Sequence, residues 1–255
     1  MIANYHTHTP LCHHAVGEMR EYVEHAIRGG IQILGFSDHA PQFYQNGHVS
    51  GCRMLPSEAE GYLREIRRLA EEYKNDITIY SGFEAEYYPA IFGDLQRFCR
   101  DNGVDYLIMG QHWMDDECTG TFMFRPFAEE STLVHFVDQV LEGLSTGSYT
   151  YVAHPDMANF VGDPAVRIRE MTRLCEGVKA LGLPVEVNML GFAEKRPYPT
   201  ESFFRIAAAV GNDVIVGCDA HRPDFLSDVT TQKTVRAFAE DLGCHIVDTV
   251  TLRRI

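Results

Sequence analysis

Two pairs of ligand-type residues, each spaced i, i+2, stand near opposite ends of the chain: His6-Thr7-His8 and Asp219-Ala220-His221. Residues two apart on an extended strand share a face, so each pair can converge on one ion. Between them come His14, Ser37-Asp38-His39, Glu84 with Glu86 two residues on, Gln111-His112, and His154-Pro155. Imidazole nitrogen suits zinc, iron and related ions, and a carboxylate can bridge two of them. A single His-x-His arises by chance. His, Asp and Glu recurring at the ends of successive elements does not, because so many core histidines would each need a polar partner.

The elements that must carry these residues alternate along the chain. Apolar runs at Ile2–Thr7, Ile31–Phe36, Ile77–Phe83, Tyr106–Met109, Tyr149–Ala153, Pro184–Val187 and Val214–Gly217 read as strands buried on both faces, as in a parallel sheet. Helical spacing separates them. Met19, Tyr22, Val23, Ala26 and Ile27 predict one helix, stopped by Gly29-Gly30. Ser57-x-x-Glu60 predicts a capping box ahead of Tyr62, Leu63, Ile66, Leu69 and Tyr73. Leu133, Val134, Val137, Val140, Leu141 and Leu144 predict another helix. Repeated β-α units without a polar linker imply one domain over residues 1–255, a closed or nearly closed parallel barrel. Six of the seven predicted strands then end in a candidate ligand, the end where barrel enzymes place their chemistry.

Composition narrows the class. The chain has 36 acidic and 22 basic residues and a formal net charge of −14. That argues against general nucleic-acid binding, which depends on Lys and Arg. A small phosphate ester stays open, because bound cations reverse the charge locally. The seven cysteines are odd in number and form no C-x-x-C pair, which fits a reducing cytoplasm. The first residues lack the basic and apolar regions of a signal peptide, and no run of about 18 apolar residues predicts a membrane span.

His6-Thr-His8-Thr9 with His14, Ser37-Asp38-His39 and Asp219-Ala220-His221 resemble the motifs of the PHP (polymerase and histidinol phosphatase) family. Glu84, His112 and His154 fall at matching intervals, so the likeness spans the chain. The resemblance implies a distorted (β/α)7 TIM-like barrel and three divalent transition-metal ions, zinc, iron or manganese. It puts His6, His8, Glu84 and Asp219 on the first ion, Glu84, His112 and His154 on the second, and His14, His39 and His221 on the third. Within the family, His6–His14, Glu186-Val-Asn188 and Pro197-Tyr198-Pro199 resemble histidinol phosphatases most. The implied reaction is hydrolysis of a small phosphomonoester, L-histidinol phosphate, by water activated at the ions. Glu84, Asp219 and His221 are the candidate catalytic residues, with a protonated His or Asp on this face as general acid. Related readings are an esterase for another small phosphate, nucleotide or nucleic acid, and a non-catalytic metal-binding module. An amidohydrolase also uses His-x-His, but commonly with a bridging modified Lys, and here Glu84 holds that place.

Substrate contacts are expected from Arg196, Asn188 and His48. Arg53, Arg125, Lys195, Arg196 and Arg222 all fall on predicted rim loops, and an Arg fork matches phosphate oxygens. No basic residue follows His154-Pro-Asp before Arg167, so Arg196 is the favoured clamp; otherwise Lys195-Arg196 is a solvated pair. His48 lies in the long segment 40–55, as a substrate contact or a plain loop residue. Cys12 beside His13 and His14 suggests a Cys–His nucleophile or, more simply, a small buried thiol. Asp38 is expected to orient imidazoles. Trp113 and Tyr198 are expected in the core or against a substrate ring, and Asp115-Asp116-Glu117 as a surface run or an ammonium site.

Overall fold

A computed structural model describes residues 1–255. The strands are β1 (Ala3–Asn4), β2 (Ile33–Phe36), β3 (Thr78–Ala85), β4 (Tyr106–Met109), β5 (Trp113–Met114), β6 (Thr121–Phe122), β7 (Tyr149–Val152), β8 (Val185–Asn188), β9 (Asp213–Gly217) and β10 (His245–Ile246). The helices are α1 (Met19–Arg28), α2 (Pro56–Glu72), α3 (Phe92–Asp101), α4 (Glu130–Ser145), α5 (Pro164–Ala180), α6 (Met189–Ala193), α7 (Glu201–Val210) and α8 (Val229–Asp241). All seven expected strands are present. With β10 they form one eight-stranded parallel sheet in the order β1-β2-β3-β4-β7-β8-β9-β10. No helix is long and apolar enough to cross a membrane.

The distortion of the barrel has a local cause. β1 is shorter than the expected Ile2–Thr7 because the Asn4 side chain takes over its ladder. Asn4 Nδ2 donates to His6 O at 3.1 Å and to Thr7 Oγ1 at 2.7 Å, while Asn4 Oδ1 accepts from Cys218 N at 2.8 Å. The sheet therefore closes only at its C-terminal rim, where Thr7 bridges Ala220 and His8 N donates to Ala220 O at 3.0 Å. At the opposite end an unanticipated eighth parallel strand, β10, pairs with the start of β9. Val247, Val250 and Leu252 after it pack against the inward-facing Tyr5, Tyr106, Tyr151 and Ile215 and plug the barrel floor. Alternate strand residues such as Leu107, Met109 and Val187 face outward and share the larger core with the helices.

The helices form for the reasons their sequences suggest, with one correction. α1 buries Tyr22, Val23 and Ala26 and ends at Gly29-Gly30, where Gly30 adopts a φ of +78°. At α2, Ser57 is not the cap. Pro56 occupies the first turn, and Glu58, not Glu60, reaches back to accept from Leu55 N at 2.8 Å. Proline fits there because its missing N–H would be unpaired anyway. Also unforeseen is the antiparallel hairpin β5–β6, which stands outside the barrel directly after His112.

Two glycines at strand ends make room for buried carboxylates. A Cβ on Gly110 would sit 1.9 Å from Glu84 Oε1, and one on Gly217 would sit 2.1 Å from Glu186 Oε2. Gly110→Ala should therefore destabilise the fold by about 1–3 kcal/mol, the scale of an overpacked core. Thermal unfolding with a chelator present checks this, since lost metal binding then makes no contribution; an unchanged midpoint would show that Glu84 can move aside freely.

Candidate metal centre

Every candidate ligand lies at the C-terminal rim. His6 and His8 follow β1, His39 follows β2, Glu84 is near the end of β3, His112 follows β4, His154 follows β7, and Asp219 and His221 follow β9. His14 comes from the turn after Pro10–Cys12. Two of these residues have backbones that non-glycine residues seldom adopt, with φ of 28° at His154 and 54° at Asp219. Such conformations cost energy and persist where neighbours enforce them, which here aims both side chains across the barrel mouth.

Glu84 is the hub. Its Oε1 lies 2.6 Å from His154 Nε2 and 3.4 Å from His112 Nε2. Its Oε2 faces His39 Nδ1 at 3.0 Å, His8 Nε2 at 3.5 Å and His6 Nε2 at 3.6 Å. That oxygen is buried without a hydrogen-bond partner. Asp219 Oδ1 lies 3.1 Å from His8 Nε2 and 3.5 Å from His6 Nε2. The ligand atoms of His6, His8 and Asp219 fall within 4.8 Å of one another. So do those of His6, Glu84 and His154, and those of His14, His39 and His221. An orphaned carboxylate oxygen facing three imidazoles fits a cation, and nitrogen and oxygen donors in such sets fit divalent metal ions.

The far sides of five of the imidazoles are held, whereas His154 Nδ1 is buried without a partner. His6 Nδ1 is 2.9 Å from Glu186 Oε2, His8 Nδ1 is 3.4 Å from Asp38 Oδ1, and His112 Nδ1 is 3.2 Å from Glu86 Oε1. His14 Nδ1 donates to Cys12 O at 2.6 Å and His221 Nδ1 to Asp219 O at 3.0 Å. An Nδ1–H donated outward leaves the Nε2 lone pair facing the centre. Asp38 also accepts from Thr9 N at 3.0 Å and His39 N at 2.8 Å, which ties the first two rim loops together.

The charges of the centre are strongly coupled. Burial opposes a charge on His6, but Glu186, Asp219 and Glu84 outweigh it and raise its pKa to about 10. Burial likewise opposes ionisation of Glu84 and Asp219. The imidazoles around them win, holding both carboxylates well below the usual range. His39, with burial dominant, is pushed well below the ordinary histidine value.

Above the ligands opens a cavity of about 610 Å³. Trp113, Phe122, Phe124 and Tyr198 form its aromatic wall, and Arg53 and Arg196 are its basic residues. Arg125, Lys195 and Arg222 are exposed and stand outside it. Arg196 donates to Glu194 Oε2 at 2.8 Å and to Tyr198 Oη at 2.9 Å. Three expectations need correction. Asn188 does not line the cavity. It is buried, donating to Glu186 Oε1 at 2.7 Å and Asp219 Oδ2 at 3.1 Å while its Oδ1 caps α6 through Gly191 N at 2.7 Å. His48 also lies outside, its Nε2 3.7 Å from Glu117 Oε1. The acidic run divides: Asp115 pairs with exposed His135 at 2.6 Å, whereas Glu117 is drawn inward to Arg53 at 2.8 Å. Cys12 is fully buried and does not line the cavity; burial raises its thiol pKa, but His14, His221 and His8 outweigh that and lower it to about 3. Phe122, Phe124, Met157 and Glu194 line the cavity unforeseen. The signal for the first two lay in Gly120 and the acidic turn between two short apolar runs, a hairpin pattern.

The PHP domain family profile matches residues 4–189, well over half of the chain. The chain belongs to the PHP domain family. A probable histidinol-phosphatase of Deinococcus radiodurans is 27% identical over 228 residues, covering 86% of this chain and 85% of its own. The histidinol-phosphatase of Bacillus subtilis is 29% identical over 115 residues, 43% of each chain. Among solved structures, a histidinol phosphate phosphatase from Lactococcus lactis, complexed with zinc, L-histidinol and phosphate, superposes with a TM-score of 0.76. That match covers 98% of this chain and 97% of the other at 19% identity, a likeness of fold. The family match covers residues 4–189, and the rim geometry brings together side chains that could hold metal ions.

Two outcomes follow for the PHP domain. Glu84→Ala should strip the centre of bound metal, read by elemental analysis of the purified protein; a full complement would contradict the hub role. His6, with its pKa raised to about 10, keeps its proton at neutral pH, and an incoming ion must displace it. Zinc added to metal-free protein at pH 7 should thus release protons, read with a pH indicator, and its affinity should rise with pH. A zinc affinity flat between pH 6 and 8 would contradict the assignment of His6.

Proposed function

We propose that the protein is a metal-dependent phosphomonoesterase whose substrate is L-histidinol phosphate, yielding L-histidinol and inorganic phosphate. The observation that carries the reading is the buried, unpartnered Glu84 Oε2 at the floor of an open cavity that also offers arginine and aromatic rings. His6, His8, Glu84 and Asp219 would hold one ion, Glu84, His112 and His154 a second, and His14, His39 and His221 a third. Such ions supply hydroxide at neutral pH and neutralise phosphate oxygens. The remaining work falls to the chain. Arg196 sits at the cavity edge with its fork on Glu194, and it can exchange that carboxylate for a phosphate oxygen. Glu194, released, offers a negative group to the substrate ammonium. The wall of Trp113 and Phe122, with ring centroids 4.9 Å apart, suits a flat imidazole and excludes water from that side. The names of the curated relatives support the same substrate.

Phosphate release from a panel of esters, with metal analysis of the same sample, tests this. Histidinol phosphate should be the best substrate. Nucleotides or sugar phosphates hydrolysed at least as efficiently would overturn the substrate while leaving the metal chemistry standing. Arg196→Ala should raise KM and lower kcat/KM by roughly 10–100-fold, the scale of a lost charged hydrogen bond. Unchanged kinetics in that variant would remove Arg196 from the phosphate site.

A further inference from the structure

We infer that Arg53 is a positioning residue for the second ion of the centre, acting on His112 through Glu86. The inference rests on the metal-centre reading above. Arg53 belongs to the irregular segment between β2 and α2, yet its side chain is only 2% exposed. Its Nη2 lies 2.7 Å from Glu86 Oε2, its Nε donates to Glu117 Oε2 at 2.8 Å, and its Nη1 donates to Ala40 O at 3.2 Å. Glu86 is also 2% exposed, and its other oxygen faces His112 Nδ1 at 3.2 Å. Beyond Arg53, Glu117 accepts from Ser50 Oγ at 2.6 Å and Tyr44 Oη at 3.3 Å. A continuous buried chain thus runs from the segment over the barrel mouth to the ring that faces Glu84 Oε1.

Each link has a physical consequence. The carboxylate of Glu86 fixes which His112 nitrogen carries the proton and how the ring turns, leaving Nε2 free for the ion. A carboxylate this deeply buried requires a counter-charge, and Arg53 provides it. Nε and Nη2, along one edge of the guanidinium, meet two carboxylates, so Glu86 cannot rotate away from His112 without breaking the Arg53 contact. The same arrangement makes the packing of segment 40–55 and the order of the second site mutually dependent. A purely structural arginine would clip the segment without affecting how the centre binds metal.

Zinc binding by the whole protein, titrated against a competing chelator, separates these roles. Arg53→Lys keeps the charge but loses the fork. Arg53→Met with Glu117→Gln removes one charge of each sign and leaves fewer buried charges unpaired. In either folded variant the zinc held through His112 should bind about 10–100-fold more weakly, the usual loss when a partner of a metal-ligating histidine is removed. Glu86→Gln should give a comparable loss, and adding Arg53→Lys to it should cost nothing further, because both act on one ring. Unchanged zinc affinity in folded Arg53 variants overturns the proposal, as do losses that multiply with that of Glu86→Gln. Failure of every Arg53 variant to fold would assign the residue a structural role only and overturn it as well. Should the wild-type protein itself bind no zinc, the metal-centre reading fails first, a result distinct from these.

Discussion

One carboxylate among five imidazoles is the constraint on which the rest of this structure turns. Glu84 is 1% exposed, and His6, His8, His39, His112 and His154 all place a nitrogen within 3.6 Å of it. Water cannot solvate such a group, so its charge must be balanced by protons or by cations held in place. The barrel serves this by delivering ligands from six different strand ends to one point. The glycine at 110 serves it too, by leaving the space that the carboxylate fills.

Around that hub the polar groups form a second layer. Glu186, Asp38 and Glu86 each take the far nitrogen of one ligand histidine. Asn188 in turn holds Glu186 and Asp219. This shell fixes the ring angles of those histidines. His154 and Asp219, just past the ends of β7 and β9, hold left-handed backbones that only enforcing neighbours maintain.

The helices and sheet were largely legible because their signals are local. Apolar runs gave all seven expected strands, and the Gly29-Gly30 stop gave the end of α1. The misses have separate causes. β1 is truncated by Asn4, whose bonds reach Cys218 across the whole chain. β10 is two residues long and carries no apolar run of its own. At α2 the capping glutamate is Glu58, two positions before the expected Glu60, and Pro56 decided which turn came first.

The sequence by itself determined which residue types stand at the strand ends, because the period of a strand and the order of β-α units fix which side chains reach one rim. It also carried the family resemblance that the profile match bears out. Only the tertiary structure decided what those residues face. Asn188 reads alike as a substrate contact or a buried brace, and its neighbours Glu186 and Asp219 make it the brace. Glu117 reads as part of a surface run, and its pairing with Arg53 draws it inward. Such roles depend on contacts between segments far apart in the chain, and burial and charge balance, which select among them, are properties of the packed molecule rather than of any stretch of it.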